Sequence, residues 1–416
     1  MSAEPGTLDA VSLRADFPLL SPDRPGGRLV YLDSAASAQR PRAVLEAMDR
    51  YYETTHANVH RGVYAIAEEA TRLYELARDR VGRFVGAPHP ATEIVFTKNA
   101  TESVNLVAYS WGRHELRAGD VVVLSEIEHH ANLVPWLMLA DERGIELRYL
   151  PLGSGYELDL SEIDRILDGA RLVAITGASN VLGTVVDLAP VVAAAKNAGA
   201  LVLVDGAQLV PHRTVDVAAL GIDFLAFTGH KMLGPTGIGV LWAREEILDA
   251  MPPFLGGGEM IRDVRLDGFT ANELPWKFEA GTPPIAEAIG LGAAVDYLRA
   301  VGLDRIHAHE SALTAYALDQ IESAHGDALT VFGPTARAPR RSGVISFAVR
   351  DVHPHDVAQV LDTRNVCVRA GHHCAKPLMR CLGVPATTRA SLYLYNDETD
   401  VDVLVDALGD VRRMFA

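Results

Sequence analysis

The chain has 416 residues, of which 49% are apolar and 22% charged, and its formal net charge is −16. This length allows two or three domains, and the composition excludes a disordered chain. A chain this acidic is a poor match for nucleic acid or for an anionic membrane surface, so we expect neither as a partner.

The ends of the chain and its cysteines bear on location and metal binding. No apolar run approaches the ~18 residues of a membrane-spanning helix. The N-terminal sequence MSAEPGTLDAVSL has neither a basic start nor an apolar core, which predicts no signal peptide and a cytoplasmic location. Cys367, Cys374 and Cys381 are spaced by sevens. That spacing predicts no zinc site. Three cysteines are too few for a disulfide framework, and we expect no bond between the last two.

Short apolar runs alternate with helical patterns over the first two thirds of the chain. The predicted strands are Ile94–Phe96, Val121–Leu124, Leu172–Thr176, Leu201–Val204, Phe224–Phe227 and Ile238–Trp242. Helices are predicted near 101–111, 132–143, 159–168 and 187–198, and Asp187 and Gly199 are typical caps for the last of these. Strands that alternate with helices predict a mostly parallel α/β sheet, which binds ligands at the carboxyl ends of its strands.

The pattern changes after residue 256. Residues 256–284 are rich in Gly, Pro and Thr, which predicts an irregular loop, and a long helix is predicted near 285–324. Separated strands at 343–349, 366–369 and 389–393 and a helix near 398–415 then predict a smaller α+β domain. The basic run Arg337–Arg341 is interpreted as a solvated loop.

Two candidate catalytic residues follow predicted strands. Lys231 follows Phe224–Phe227 in a turn of small residues, where a neutral lysine could form a Schiff base with an aldehyde cofactor. The alternative is a surface lysine. Asp205 follows Leu201–Val204 and could hold the pyridine nitrogen of pyridoxal phosphate (PLP), or it could cap a helix.

Two further motifs favour the binding of a flat, phosphorylated ligand. Asn99 and Glu102 match a capping box, and a helix that starts after a strand offers N–H groups to phosphate. His129 follows another strand and could stack on a cofactor and move protons. Capped helices and histidines are also common as purely structural features, which remains the alternative for both motifs.

Cys374 ends the segment Arg369-Ala-Gly-His-His-Cys374. Neighbouring cationic and imidazole groups favour the thiolate, and the glycine indicates an exposed turn. The alternative is a buried cysteine that packs as a small apolar residue, as we expect of Cys367 between two valines. The motif therefore indicates a nucleophilic thiol at Cys374.

Together these motifs have a recognisable order. The series is Tyr31-Leu-Asp-Ser-Ala-Ala36, Asn58-Val-His-Arg-Gly62, Ala100-Thr-Glu102, Glu128-His-His-Ala-Asn132, Ser179-Asn-Val-Leu-Gly183, Val204-Asp-Gly-Ala-Gln208, Gly229-His-Lys231, Glu279-Ala-Gly-Thr-Pro283 and Arg369-Ala-Gly-His-His-Cys-Ala375. It resembles the class V, fold-type I PLP-dependent enzymes, and among them the SufS-type (group II) cysteine desulfurases. The resemblance covers the chain from about residue 13 to its end.

The resemblance implies a fold and its division. A large PLP-binding α/β domain with a mostly parallel seven-stranded sheet would span residues 26–295. A smaller α+β domain carrying the catalytic cysteine would span 296–416, and residues 1–25 would pack on it.

The resemblance also implies roles for individual residues. Lys231 would hold PLP and remove the substrate Cα proton, His129 would stack on the ring and move protons, and the Cys374 thiolate would take the sulfur. The implied cofactor-binding residues are Asp205, Gln208, Ala100, Thr101, Thr228 and His230, with Thr282 from the other subunit of a homodimer. The implied substrate-binding residues are Asn180, Arg389, Arg369, His60 and Ala36. Ala100 replaces a common threonine, and Pro283-Pro284 departs from the usual pattern.

The implied reaction converts L-cysteine to L-alanine and a persulfide on Cys374, which a sulfur acceptor protein then receives for iron–sulfur cluster assembly by a SUF system. The segment Asp351–Asp356 resembles the form found with SufU-type rather than SufE-type acceptors, with His355 contacting the acceptor; a polar turn before a helix is the alternative. A selenocysteine lyase, or another class V reaction that does not need Cys374, remains the alternative function.

Overall fold

The structure, a computed structural model, describes residues 8–21, 24 and 26–415. Its strands in this part of the chain are β1 (Val30–Tyr31), β2 (Ile94–Thr97), β3 (Val121–Ser125), β4 (Glu146–Leu150), β5 (Ala170–Thr176), β6 (Leu201–Asp205), β7 (Phe224–Thr228), β8 (Gly239–Ala243), β9 (Ile261–Arg265), β10 (Gly268–Ala271), β11 (Leu329–Phe332), β12 (Val344–Val349), β13 (Val366–Cys367), β14 (Arg369–Gly371) and β15 (Thr387–Ser391).

The α-helices of the same residues are α1 (Ala10–Arg14), α2 (Arg42–Thr54), α3 (Ala65–Phe84), α4 (Pro90–Glu93), α5 (Ala100–Leu106), α6 (Arg113–Glu115), α7 (Val134–Arg143), α8 (Ile163–Ile166), α9 (Leu188–Ala198), α10 (Val217–Leu220), α11 (Glu245–Ala250), α12 (Ile285–Val301), α13 (Leu303–His325), α14 (Pro354–Asp362), α15 (Lys376–Cys381) and α16 (Glu398–Met414). A π-helical turn, Val107–Gly112, joins α5 to α6. None of the helices in the described ranges combines the length and the hydropathy that a membrane-spanning segment needs.

Seven strands form the central sheet in the order β2-β8-β7-β6-β5-β3-β4. Within this sheet, β8 runs in the direction opposite to the other six strands. Alternate side chains of β6 enter two apolar cores, because Val202 and Val204 pack on one face of the sheet and Leu203 packs on the other. Continuous apolar runs are typical of parallel strands covered on both faces. The predicted mostly parallel seven-stranded sheet is therefore confirmed.

The edge strand β4 has no counterpart among the predicted strands. It carries Glu146 and Arg148, and only Leu150 in it is fully buried. An edge strand is partly solvated and need not be a continuous apolar run. The helix predicted near 159–168 is shorter in the structure, where only Ile163–Ile166 is α-helical.

Residues 256–284 are more ordered than the predicted irregular loop. The antiparallel hairpin of β9 and β10 lies within them, and it exposes Val264, Leu266 and Phe269. Because these apolar side chains are exposed in the single chain, neither strand has a buried face. The sequence therefore lacks the alternation of apolar and polar residues that predicts a half-buried strand. The predicted long helix is also divided, because Gly302 between α12 and α13 has a φ of +92° that ends a helix.

The basic run is only partly a solvated loop. Arg341 is 4% exposed, and its guanidinium donates to the carbonyl groups of Pro334 and Val344. Arg340 pairs with Asp187. Asp187 precedes α9 as predicted but makes no capping hydrogen bond, since its carboxylate is held by Arg340.

The C-terminal part of the chain forms a second, four-stranded antiparallel sheet in the order β11-β12-β15-β14. The predicted strand at 366–369 is two short strands, because β13 pairs in parallel with β1 whereas β14 pairs with β15. Near the N-terminus, Arg14 donates to the Tyr395 carbonyl and lies 3.3 Å from the Asp400 carboxylate of α16. The predicted domain boundaries remain a prediction.

Candidate active site

One cavity of about 300 Å³ opens at the carboxyl ends of the parallel strands of the central sheet. Its lining residues are Ala35, Ala36, Asn99, Ala100, Thr101, His129, Ala131, Thr176, Ala178, Asn180, Asp205, Ala207, Gln208, Thr228, His230, Lys231, Arg369, His373, Cys374 and Arg389. The volume is at the lower end of the range of small-molecule sites. All the sequence-predicted site residues lie here except His60, Thr282 and His355.

Lys231 ends a 3₁₀ turn, Gly229–Lys231, that follows β7 directly. Burial lowers the pKa of its amine to about 8, although the nearby Asp205 carboxylate opposes that shift. Part of the population therefore holds a neutral, nucleophilic amine near neutral pH. The interpretation of Lys231 as a surface lysine is wrong.

Asp205 is the last residue of β6 and is 4% exposed. Its carboxylate accepts the Ala207 N–H at 3.0 Å, but no helix begins there, so it does not cap one. Burial raises its pKa, whereas the charge of Lys231 lowers it. A buried carboxylate of this kind fits a protonated ring nitrogen as its partner.

His129 starts the turn that follows β3. Its Nδ1 accepts the Ala131 N–H at 3.0 Å, so the neutral ring carries its proton on Nε2. Burial, and then the charge of Lys231, lowers its pKa to about 3, which keeps the imidazole neutral. A neutral ring with one N–H can both stack on a flat ligand and donate a proton.

Glu128, the first residue of the motif Glu128-His-His-Ala-Asn132, is buried. Its carboxyl group accepts hydrogen bonds from Ser125 Oγ, Asn132 Nδ2 and the Thr176 N–H, at 2.5, 2.8 and 2.9 Å. Burial raises its pKa to about 8. These contacts attach the turn of His129 to the ends of β3 and β5.

The other end of the cavity is built for an anion. Asn99 caps α5 by accepting the Glu102 N–H at 3.0 Å, as the capping box predicts. The Glu102 carboxylate accepts the N–H of Lys98 instead of that of Asn99. Ala100 and Thr101 begin a helical run that continues to residue 115, and they present its free N–H groups.

His230, Gln208 and Ala36 lie around the same cavity. Burial lowers the pKa of His230 to about 4, so its imidazole is neutral. The Gln208 amide donates to the Ala35 carbonyl at 2.6 Å, and this bond fixes the glutamine beside the cavity while leaving its second N–H to a ligand.

Arg389 is 2% exposed and is the main cation on the C-terminal side of the cavity. Its Nη1 donates to the Asn180 carbonyl at 2.9 Å, whereas its Nε has no hydrogen-bond partner. The Asn180 amide donates to the His373 carbonyl at 2.7 Å. A buried guanidinium with an unused donor favours a carboxylate ligand, because an unpaired buried donor is costly.

Cys374 is exposed, has a φ of +56°, and has a free thiol. Its N–H donates to His372 Nδ1 at 3.1 Å, and its carbonyl accepts the His130 N–H at 2.8 Å. Lys376 N–H donates to His130 Nε2 at 3.1 Å, so the loop of Cys374 is attached to the loop of His129. The thiol therefore has access both to the cavity and to solvent. Cys367, by contrast, is half-buried.

Three predicted site residues lie elsewhere in the single chain. His60 has its Nε2 2.8 Å from Glu75 and packs against Tyr74 and Trp276. Thr282 is exposed in the loop before α12. His355 is exposed in the first turn of α14, where its ring lies 5.3 Å from that of His353.

A buried ion-pair network near the cavity was also missed. The Arg78 guanidinium, 1% exposed, bonds the Glu279 carboxylate at 2.6 and 2.9 Å. Glu279 accepts further hydrogen bonds from Tyr74 Oη and the Phe96 N–H, at 2.9 and 2.7 Å. The network joins the loop of Thr282 to β2, the strand that leads to Asn99.

Arg78→Met is expected to destabilise the protein by about 3–5 kcal/mol, because it leaves the Glu279 carboxylate buried without a counter-charge. Urea unfolding measures the loss. Arg72→Met on the exposed face of α3 is the matched control and should change little. The double variant Arg78→Met, Glu279→Gln should recover part of the stability. A loss no larger than that of the control would contradict the importance of the pair.

The cavity residues fit pyridoxal phosphate. Lys231 matches its aldehyde, Asp205 its ring nitrogen, and the start of α5 its phosphate, while the unused Arg389 donor remains for a substrate carboxylate. All of these groups line a single cavity. Among the described residues, no group of acidic, histidine and cysteine side chains could hold a metal ion.

Comparisons with known proteins agree with this chemistry. The family model described as aminotransferase class-V matches residues 30–404. A "probable cysteine desulfurase" of Streptomyces coelicolor is 51% identical over the full length of both chains, and a cysteine desulfurase of Haloferax volcanii is 46% identical over 98% of each. The solved cysteine desulfurase of Thermococcus onnurineus is 41% identical, with a TM-score of 0.92 over 99% of both chains.

The family match and the full-length relatives confirm the predicted resemblance to class V, fold-type I PLP enzymes, and with it the predicted fold class and cofactor. Membership of the SufS-type subgroup stays a prediction. The chain belongs to the aminotransferase class-V family.

Proposed function

We propose that this chain is a PLP-dependent cysteine desulfurase, which takes sulfur from L-cysteine and leaves L-alanine. The observation that carries the proposal is the position of Cys374. Its exposed thiol lines the same cavity as Lys231, Asp205 and Arg389. An aminotransferase or hydrolase of the same family has no use for a nucleophilic thiol there. Relatives with this name at 46–51% identity support the proposal.

The residues divide the work by position. Arg389 binds the substrate carboxylate, and its unused Nε is the donor available for it. When bound, PLP supplies the aldehyde that captures the substrate amine and the ring that takes up negative charge from Cα. Asp205 stabilises the protonated ring nitrogen. Lys231 Nζ, with its lowered pKa, removes the Cα proton.

Cys374 then accepts the sulfur. Its thiolate forms an S–S bond to the substrate sulfur as the Cβ–S bond breaks. The electron pair of the broken bond stays with the three-carbon product, which takes up protons and leaves as L-alanine. His129, neutral with its proton on Nε2, is placed to move these protons. Cys374 keeps the transferred sulfur as a persulfide.

We further propose the finer parts of the resemblance. The protein works as a homodimer in which Thr282 of the partner subunit completes the phosphate site, in keeping with the exposure of Thr282 away from its own cavity. A SufU-type acceptor in the cytoplasm receives the sulfur at a surface that includes His355, which is exposed beside His353. The sulfur then serves iron–sulfur cluster assembly in a SUF system.

A single-turnover experiment tests the reaction. The PLP-loaded protein, which is yellow, is mixed with excess L-cysteine in the absence of reductant and of an acceptor protein. We expect about one L-alanine per subunit. Mass spectrometry of the peptide with Cys374 should show the gain of one sulfur atom. No alanine, or alanine without a modified Cys374, would contradict the proposed function.

A further inference from the structure

Arg369 and Arg389, the two arginines at the cavity, lie directly opposite each other in the four-stranded C-terminal sheet. Arg369 on β14 is the register partner of Arg389 on β15, in an antiparallel pair. Like charges at directly opposite positions destabilise a sheet. Arg389 is also buried, and this burial lowers the pKa of its guanidinium. The pair therefore needs a counter-ion that reaches both side chains.

Asp33 is that counter-ion. Its Oδ1 accepts from Arg389 Nη2 at 3.2 Å, and its Oδ2 accepts from Arg369 Nη2 at 3.0 Å. Arg369 Nε lies 3.2 Å from both carboxylate oxygens. Asp33 follows β1 and forms a bridge with Ser391 of β15, so its backbone is anchored to the strand that carries Arg389.

We infer that Asp33 is a positioning residue that sets the charge of the substrate-carboxylate site. The two arginines and Asp33 sum to a charge of +1, which one carboxylate group neutralises. Without Asp33 the same site has a charge of +2 and attracts inorganic dianions that compete with the substrate. Asp33 thus assembles the arginine pair before substrate arrives and selects for a single carboxylate. The inference rests on the proposed role of Arg389 and Arg369 in substrate binding.

Asp33→Asn tests the inference, with inorganic sulfate as the probe and the PLP-loaded protein throughout. Asparagine has nearly the same shape as aspartate, so the substitution removes charge rather than volume. We expect sulfate to inhibit alanine formation competitively with L-cysteine, at a concentration at least about tenfold lower than for the parent protein. Sulfate should also raise the melting temperature of Asp33→Asn more than that of the parent, since it binds only the folded site.

The double variant Asp33→Asn, Arg369→Gln separates charge from shape. It returns the site to +1, so its response to sulfate should fall back towards that of the parent. Equal sulfate responses in Asp33→Asn and the parent would overturn the inference, as would a double variant as sensitive as the single one. If Asp33→Asn does not fold, recovery of folding in the double variant supports the inference, and failure of both overturns it.

The melting measurement also keeps the two proposals distinct. A sulfate response that appears in Asp33→Asn and disappears in the double variant supports the counter-ion even if no variant makes alanine from L-cysteine. The absence of alanine formation would contradict the desulfurase proposal alone. Alanine formation together with equal sulfate responses in Asp33→Asn and the parent would contradict the role of Asp33 and leave the desulfurase proposal in place.

Discussion

Lys231→Ala is expected to abolish alanine formation, with a fall in rate of at least about 10³-fold. The variant loses both the amine that attaches the cofactor and the base that removes the Cα proton, and base catalysis alone contributes about 10²–10⁴-fold. Lys231→Arg should be as inactive, because a guanidinium stays protonated. Solvent-deuterium exchange at Cα of added L-alanine measures the proton step without sulfur chemistry, and both variants should lack it.

Borohydride reduction gives an independent measurement of cofactor attachment. The parent protein should carry reduced cofactor on the peptide with Lys231, and Lys231→Ala should carry none. Lys196→Ala, on the exposed face of α9, is the matched control and should behave as the parent. Attachment at another lysine would show that Lys231 is not the residue that binds PLP. Deuterium exchange by Lys231→Ala would show that Lys231 is not the base that removes the Cα proton.

Cys374→Ala is expected to reduce alanine formation from L-cysteine by at least about 10²-fold while keeping the yellow colour and the deuterium exchange. The reason is the separation of tasks in the cavity. Asp205 is the last residue of β6 and Lys231 lies in the turn after β7, whereas Cys374 lies on the loop between β14 and α15. Cys374→Ser should be equally impaired, because a serine hydroxyl group cannot form a persulfide with the substrate sulfur.

The other exposed thiol provides the control for this result. Cys381→Ala removes an exposed free cysteine seven residues further along and should leave alanine formation unchanged. Full turnover by Cys374→Ala would contradict the persulfide mechanism and favour a class V reaction that needs only Lys231 and Asp205.

The sequence was most informative where burial is complete. β6 and β7 are buried on both faces, so their apolar runs predicted both strands and the positions of Asp205 and Lys231 just beyond them. β4 was missed because an edge strand alternates charged with apolar residues. The hairpin of β9 and β10 was missed because its apolar residues Val264, Leu266 and Phe269 are exposed, so the sequence lacks the pattern of a strand with one buried face.

The site residues that were missed act through partners distant in sequence. Asp33 is 336 residues from Arg369, and its meaning depends on the register of β14 against β15. Glu279 begins one of the motifs, but it lies 201 residues from Arg78, and nothing in the sequence indicates that the two form a pair. Glu128 lies within a predicted motif, but its three hydrogen bonds depend on how β3 and β5 pair. Pairing of this kind is a property of the assembled fold.

The contact between Arg14 and α16 has a consequence for how the protein is made. Arg14 is buried against the Tyr395 carbonyl and the Asp400 carboxylate, and 381 residues separate Arg14 from Tyr395. At about 5–20 residues per second, a ribosome needs roughly 20–80 s to synthesise the intervening chain. Throughout that time Arg14 lacks these two partners and has only its local bonds to the carbonyl groups of Leu20 and Leu29. We therefore expect the contact between Arg14 and α16 to be among the last contacts of the fold to form.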